Sequence, residues 1–437
     1  MLNKLFKLEK NNTTIQKEFV AGLITFLTMS YILVVNPNIL GETGMDKGAL
    51  FTATALSTII ATLLMATLAN LPIAQAPGMG LNAFFAYTVV LHMGYSWQFA
   101  LTAVFIEGIV FILLTFFKVR ELIVNSIPQS IKDAIPVGIG LFITFLGLQQ
   151  AGIIVANDAT YVTMGDLANP HVWIALIGLI LTGILLSKNV PGAILIGILT
   201  ATVCGFFFGK VQLPESSIVT LPPSISPIFL KFEWTHIFTL DMLFVVFTFL
   251  FVNLFDTIGT LLGVASKAGY IDKNGNFPQI RKALFSDALG TTFGAILGTS
   301  TVTSYVESAS GVASGGRTGL TVVCTALFFA VALFFSPVFL IIPASATAPA
   351  LIIVGLFMIT SIVKVNFDDI TESLPAFLTI IMMPFTASIA QGIVFGMISF
   401  TILKICKGKA KNISVSVYVI VALLLVKMIL DGLHIFN

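Results

Sequence analysis

Apolar runs of about 15–22 residues recur along almost the whole of this chain, parted by short polar joins. Only 10% of its 437 residues are charged, against roughly 25% in a soluble globule. So little charge cannot cover a water-facing surface, so the runs must meet lipid and one another. In lipid every backbone N–H and C=O has to be satisfied internally, which makes helices the answer for segments of this length. The chain reads as an all-α polytopic membrane protein. Its first stretch carries Lys4, Lys7, Glu9, Lys10, Lys17 and Glu18, too polar for a cleavable signal peptide, so the first span itself would direct insertion. Cys204, Cys324 and Cys406 are isolated, which predicts neither a disulfide framework nor a metal centre, and nothing in the sequence calls for a cofactor.

Spans are expected near 19–35, 49–70, 72–91, 98–117, 134–154, 171–187, 191–208, 239–262, 283–298, 300–316, 319–335, 347–363, 374–388 and 390–405. On this map 18 Lys and Arg residues fall on the side of the N-terminus and three, Lys47, Lys210 and Lys231, on the other. The positive-inside bias then puts the N-terminus in the cytoplasm. Trp97, Trp173 and Trp234 sit near outer span ends, as an interfacial belt requires. The stretch 413–431 is a further hydrophobic segment, spanning or lying on the surface. Residues 209–238, with Pro214, Pro222, Pro223 and Pro227, look like an extended external connector.

Two halves of the chain echo each other. Lys47-Gly48-Ala49-Leu50-Phe51 resembles Arg281-Lys282-Ala283-Leu284-Phe285, and Ile139-Gly140-Leu141-Phe142 resembles Val354-Gly355-Leu356-Phe357. Seven spans separate the starts of the copies, an odd number, so the copies face opposite ways and a 7+7 inverted repeat of 14 spans follows. Each half also holds one interrupted span, the pattern of secondary transporters. The first break is Ala76-Pro77-Gly78-Met79-Gly80-Leu81-Asn82 and the second is Gly298-Thr299-Ser300-Thr301-Val302-Thr303-Ser304-Tyr305-Val306-Glu307. Pro and Gly disfavour continuous helix in the first, with Asn82 expected to open the half-helix that follows. The β-branched, hydroxyl-rich second break predicts a short extended piece, with a half-helix from Glu307 presenting free backbone N–H groups.

Four acids lie inside apolar spans: Glu107, Asp256, Asp287 and Glu307. A carboxylate at membrane depth costs on the order of 3 kcal/mol by insertion scales and persists only beside a cavity, a partner or a proton. Glu307, at the second break, is the sharpest candidate. Asp256 and Thr260 are four apart and share a helix face, where a carboxylate and a hydroxyl could read a polar heterocycle. Asn82 marks the first break, its plainer role being a helix cap. Asp287 suggests a structural ion pair with Arg281 or Lys282, and Glu107 shows no obvious partner. Phe84, beside the first break, is a candidate to stack on a flat ligand, although most phenylalanines in spans simply pack.

The segments Ala76 to Phe85, Phe255 to Thr260 and Thr299 to Ser308, in this order and spacing, resemble the AzgA-like purine permeases, a branch of the nucleobase–cation symporters. The likeness runs from about Glu18 to Lys411. It implies core domains over 19–117 and 239–335 and gate domains over 134–208 and 347–405. It implies proton-coupled uptake of adenine, guanine or hypoxanthine through the cell membrane by alternating access, and it is compatible with a homodimer. By position it makes Asp256 and Glu307 the substrate-binding acids and Asn82 the polar residue of the third span. Where the related uracil branch has a proton-coupling histidine, this chain has Thr260, so Asp256 or Glu307 becomes the expected proton carrier. No nucleic-acid partner, metal or enzymatic chemistry is expected, since no nucleophile–base pair or ligand cluster is visible. A uracil or other nucleobase carrier, or an anion transporter of like architecture, remain the alternative readings.

Overall fold

The computed structural model describes residues 2–116, 128–211, 217–271 and 277–410, with Ile413, Ser414, Val417, Tyr418, Val421, Ala422 and Leu425 beyond them. Among the described residues nine helices are long and apolar enough to cross a membrane, from Ile15–Gly41 to Ile389–Cys406, and the shorter apolar helices Met79–His92, Ala193–Phe207 and Ile370–Phe385 accompany them. Most of the stretch 413–431 lies outside the described residues; within it Ile413, Val417 and Val421 are buried against the main core.

Local chemistry fixes the helix ends. Asp46 accepts from the N–H of Ala49 at 2.7 Å to start Lys47–Leu64, and Thr239 caps Leu240–Ala268 through the N–H of Met242. Gly269 and Gly298 end their helices in the left-handed conformation, at φ 73° and 97°, which costs a glycine little. Within the helices, hydroxyls of Thr25, Thr54, Thr144 and Thr182 bond the carbonyl four residues back, so they need no water at membrane depth.

The helices pack in two groups. Ile15–Met29, Lys47–Leu64, Trp97–Phe116, Leu240–Ala268, Ile280–Leu297 and Gly319–Ala332 form one; Gln129–Gln150, Pro170–Ser187, Ala193–Phe207, Ala344–Ile359, Ile370–Phe385 and Ile389–Cys406 form the other. In the second group Gln129–Gln150 crosses Ala344–Ile359 at Gly140 and Gly355. A Cβ on Gly355 would stand 2.4 Å from the Gly140 carbonyl oxygen, so this crossing needs both glycines. Two short strands, Gln75–Pro77 and Val302–Ser304, pair antiparallel and pack on Lys47–Leu64, Leu240–Ala268 and Ile280–Leu297 of the first group.

Two features depart from the sequence reading. An exposed antiparallel hairpin, Ile154–Asn157 with Tyr161–Met164, fills the join between the spans expected at 134–154 and 171–187, for which no strand was expected; the alternation in Tyr161-Val162-Thr163-Met164 was the available signal. The connector after residue 216 is extended as expected but well anchored. The carbonyl of Pro223 accepts from Thr52 at 2.8 Å, Leu230 N–H donates to Ile296 at 3.0 Å, and Glu233 N–H donates to the Thr102 hydroxyl at 2.8 Å.

Candidate substrate site

Extended backbone is expensive inside a membrane unless every polar group has a partner. Here the two breaks satisfy each other. Gln75, Ala76 and Pro77 lie opposite Ser304, Thr303 and Val302, and the ladder continues through Gly78 N–H to the Thr301 carbonyl and Tyr305 N–H to the Ala74 carbonyl, both 2.9 Å. A Cβ on Gly78 would sit 2.6 Å from Thr303 Cγ2, so the close approach of the strands demands glycine there.

The hydroxyls of the second break are bonded just as fully. Asn36 donates to Thr299 at 2.9 Å, Ser300 donates to Asn82 Oδ1, and Thr301 donates to Glu107 Oε2 at 2.8 Å. Ser304 donates to Asp287 Oδ1 at 3.2 Å, and the Thr303 hydroxyl lies 2.9 Å from that of Thr257. Glu107 also accepts from Asn253 at 2.8 Å, and Asp287 from Gln75 Nε2 at 3.0 Å. Both acids are fully buried. They hold the crossing of the strands from behind, which corrects two expectations. Glu107 does have partners, and the Asp287 carboxylate points into this network, where Gln75, Ser304 and Thr257 meet it, because the strands offer it buried donors.

The other two acids face a small hollow of about 60 Å³. Its wall includes Asp256 and Thr260 from Leu240–Ala268, Met79 and Gly80 from the first half-helix, Glu307 with Tyr305 from the second break, Tyr31, and Val354 and Met358 from the opposite helix group. Tyr31 donates to Glu307 Oε1 at 2.5 Å, and Tyr305 donates to the Pro77 carbonyl at 2.5 Å. No hydrogen bond from a described residue reaches the Asp256 carboxylate, which is left to accept from whatever enters. Two carboxylates and a hydroxyl accept, the Tyr31 and Tyr305 hydroxyls having given their protons to Glu307 and Pro77; the uncapped first N–H groups of Met79–Ala83 donate. Val306, Val354 and Met358 supply apolar wall.

Residues 16–395 match the Xan_ur_permease family, described as a permease family. The chain belongs to this family. This permease is 46% identical to the adenine permease AdeQ of Escherichia coli K12 over 98% of its own length and 96% of that protein's. It is 45% identical to the guanine/hypoxanthine permease PbuG of Bacillus subtilis 168, covering 95% and 97% of the two chains. The transmembrane domain of the cyanobacterial bicarbonate transporter BicA shares its fold, with a TM-score of 0.63 at 16% identity, over 86% of this chain and 97% of that one.

Of the four residues expected at the site, the permease brings Asp256, Thr260 and Glu307 to one hollow. Asn82 stands behind it, fully buried. Its Oδ1 takes the Ser300 hydroxyl, while its Nδ2 has no partner among the described residues. Nor does Asn82 open the half-helix: that helix starts at Met79 with Gly78 as its cap, since Gly78 already bonds the opposite strand and Gly80 is accepted in a first turn. Phe84 is not in the wall; it is buried edge-on against Phe249, ring centres 4.8 Å apart. Around Glu307 the backbone N–H groups of Ser308, Ala309 and Ser310 turn back onto Tyr305, Val306 and Glu307, so a tight turn satisfies donors expected to be free. Tyr31 was missed altogether. A tyrosine in the middle of the first apolar run was the one signal for it.

The first half-helix touches the second helix group at Gly80, where a Cβ would lie 2.6 Å from Ile139 Cγ2. Gly80→Ala is therefore expected to cut uptake at least several-fold by wedging the two helix groups, an overpacking of roughly 1–3 kcal/mol. The double variant with Ile139→Ala is expected to recover most of it, as initial uptake rates in cells would show.

Proposed function

We propose that this permease imports purine bases across the cell membrane by alternating access, with Asp256 and Glu307 gripping the base edge and one of them carrying a coupling proton. The reading rests chiefly on one observation: a carboxylate with no hydrogen-bond partner among the described residues, Asp256, shares a hollow with Glu307 and Thr260 where two broken segments cross, in a chain nearly half identical end to end to purine permeases. A purine is flat and edged with N–H donors and ring acceptors. Carboxylates suit the donors, and amides, hydroxyls and helix N–H groups suit the acceptors. Asn82 is the further polar group assigned to the base, its unpartnered amide becoming available when the first broken segment shifts.

The fourteen-span map, its 7+7 inverted repeat and a cytoplasmic N-terminus belong to the same proposal. The echoed motifs support the repeat, since Gly140 and Gly355, equivalent in the two copies, are the residues at which their helices cross. The first helix group would be the core and the second the gate. The hollow holds only a handful of waters, at about 10–15 Å³ each, so a bicyclic base enters when Val354 and Met358 move off the core. An anion carrier is the weaker reading: among the described residues no Lys or Arg lines the hollow, and the likeness to BicA is one of fold.

The purified protein is expected to be stabilised against heat by hypoxanthine, guanine or adenine and not by uracil. In proteoliposomes an inward proton gradient, without sodium, is expected to drive accumulation. Stabilisation by uracil alone, or by no base, would overturn the purine assignment; accumulation that needs sodium would overturn the proton.

A further inference from the structure

We propose a second binding site on the membrane face that carries the N-terminus, built for the phosphodiester headgroup and an acyl chain of an anionic phospholipid. Two adjoining hollows lie there. The first, about 510 Å³, is lined by Lys7, Lys10 and Lys282 together with Asn70, Gln279 and Tyr270. The second, about 770 Å³, is lined by Phe116, Phe285, Leu68 and Pro278, with Arg281 at its edge. Thr67, Leu68, Pro278 and Lys282 belong to both walls, so the cationic hollow runs into the apolar one.

No acidic side chain lines either hollow among the described residues, and none forms a salt bridge to Lys7, Lys10 or Lys282. Glu9, next to Lys10 in sequence, is turned aside and accepts from Asn3 at 2.7 Å. Three ammonium groups lining one hollow, with no counter-charge among the described residues, repel one another, and an anion relieves that. A phosphate-bearing anion is the chemistry they share a fit with; the neighbouring apolar hollow selects a lipid over a free phosphate. Phe116, 73% exposed at its mouth, is a surface that acyl chains cover at low cost. Gln279 lines the first hollow, and its buried Oε1 has no partner among the described residues; a turn of the amide would offer it to a headgroup hydroxyl, as in phosphatidylglycerol. Basic pockets between helices at the membrane surface hold anionic lipids in this way.

The site is also tied to the transport elements. Asn70 donates to the Phe6 carbonyl at 3.1 Å and accepts from Gly319 N–H at 2.9 Å, joining the N-terminal stretch to the end of Lys47–Ala69 and to the start of Gly319–Leu340.

The test uses the whole protein in neutral detergent. Phosphatidylglycerol is expected to raise its melting temperature and to remain bound in native mass spectra, with an effect that weakens as salt rises. Phosphatidylcholine of the same chains and inorganic phosphate are expected to do neither. The triple variant Lys7→Gln, Lys10→Gln, Lys282→Gln is expected to weaken phosphatidylglycerol binding about tenfold or more while melting normally without lipid. An equal effect of phosphatidylcholine, an equal effect of phosphate, a salt-independent effect, or full retention in the triple variant would each overturn the proposal. Should that variant fail to fold, the salt series on the unaltered protein decides.

Discussion

Glu307→Gln is expected to abolish purine accumulation while leaving the protein folded. Glutamine keeps the length of the side chain, and its carbonyl oxygen can still accept from Tyr31, which donates to Glu307 Oε1 at 2.5 Å. What changes is the other oxygen, replaced by an NH₂ that repels a base N–H and cannot take up a proton. A hydrogen bond to a charged group contributes about 1.5–3 kcal/mol, so uptake is expected to fall by roughly 10- to 150-fold from the lost contact alone. Loss of proton coupling removes accumulation against a gradient entirely. The two contributions separate experimentally. If Glu307 carries the proton, the variant still exchanges labelled for unlabelled hypoxanthine across a liposome membrane; if it chiefly binds the base, exchange is lost as well. Accumulation at the unaltered level would remove Glu307 from the site. Tyr31→Phe, which leaves the carboxylate in place, is expected to be milder.

The breaks were readable in the sequence because backbone chemistry announces them. Pro77, Gly78 and Gly80 interrupt a helix in an apolar run, and Thr299, Thr301, Val302 and Thr303 favour strand over helix. Asp256 and Thr260 were placed on one face by their spacing alone, and that face does line the hollow. Partnerships across the fold were not readable. Glu18, grouped by sequence with a polar N-terminal stretch, is fully buried. Its carboxylate accepts from the backbone N–H groups of Arg317, Thr318 and Thr321 at 2.9, 3.2 and 3.0 Å, capping the helix Gly319–Ala332 from across the fold. No local pattern announces a cap whose acceptor lies some 300 residues upstream. Glu107 and Asp287 were equally opaque. Whether an intramembrane acid faces a cavity or a ring of hydroxyls depends on which helices pack around it, and a one-dimensional rule that treats every such acid as functional cannot tell them apart.

Asp287 provides the sharpest contrast with Glu307. It is buried where both strands meet the two helices Leu240–Ala268 and Ile280–Leu297. Oδ1 accepts from Gln75 Nε2 at 3.0 Å and from Ser304 at 3.2 Å, and Oδ2 lies 3.0 Å from the Thr257 hydroxyl. That hydroxyl is also 3.0 Å from Asn253 Oδ1 and 2.9 Å from Thr303. Asp287→Leu would take the acceptor from two buried donors, Gln75 Nε2 and the Ser304 hydroxyl, at about 1–3 kcal/mol for each unsatisfied group, while the Thr257 hydroxyl would keep Asn253 and Thr303. Several kcal/mol is a large fraction of the stability of a typical domain, so the leucine variant is expected to be poorly expressed and to melt far below the unaltered protein. Asp287→Asn should be much gentler. With its Oδ1 kept toward Gln75 and Ser304, its Nδ2 can donate to Thr257, whose hydroxyl then turns toward Asn253. If the acid serves the crossing rather than the substrate, the asparagine variant folds and still accumulates purine, whereas Glu307→Gln folds and does not. Melting temperature and hypoxanthine accumulation measured on the same three variants distinguish the two roles. An asparagine variant that folds normally and has lost accumulation would make Asp287 a participant in proton transfer, and the polar ring behind the strands part of the pathway rather than its frame.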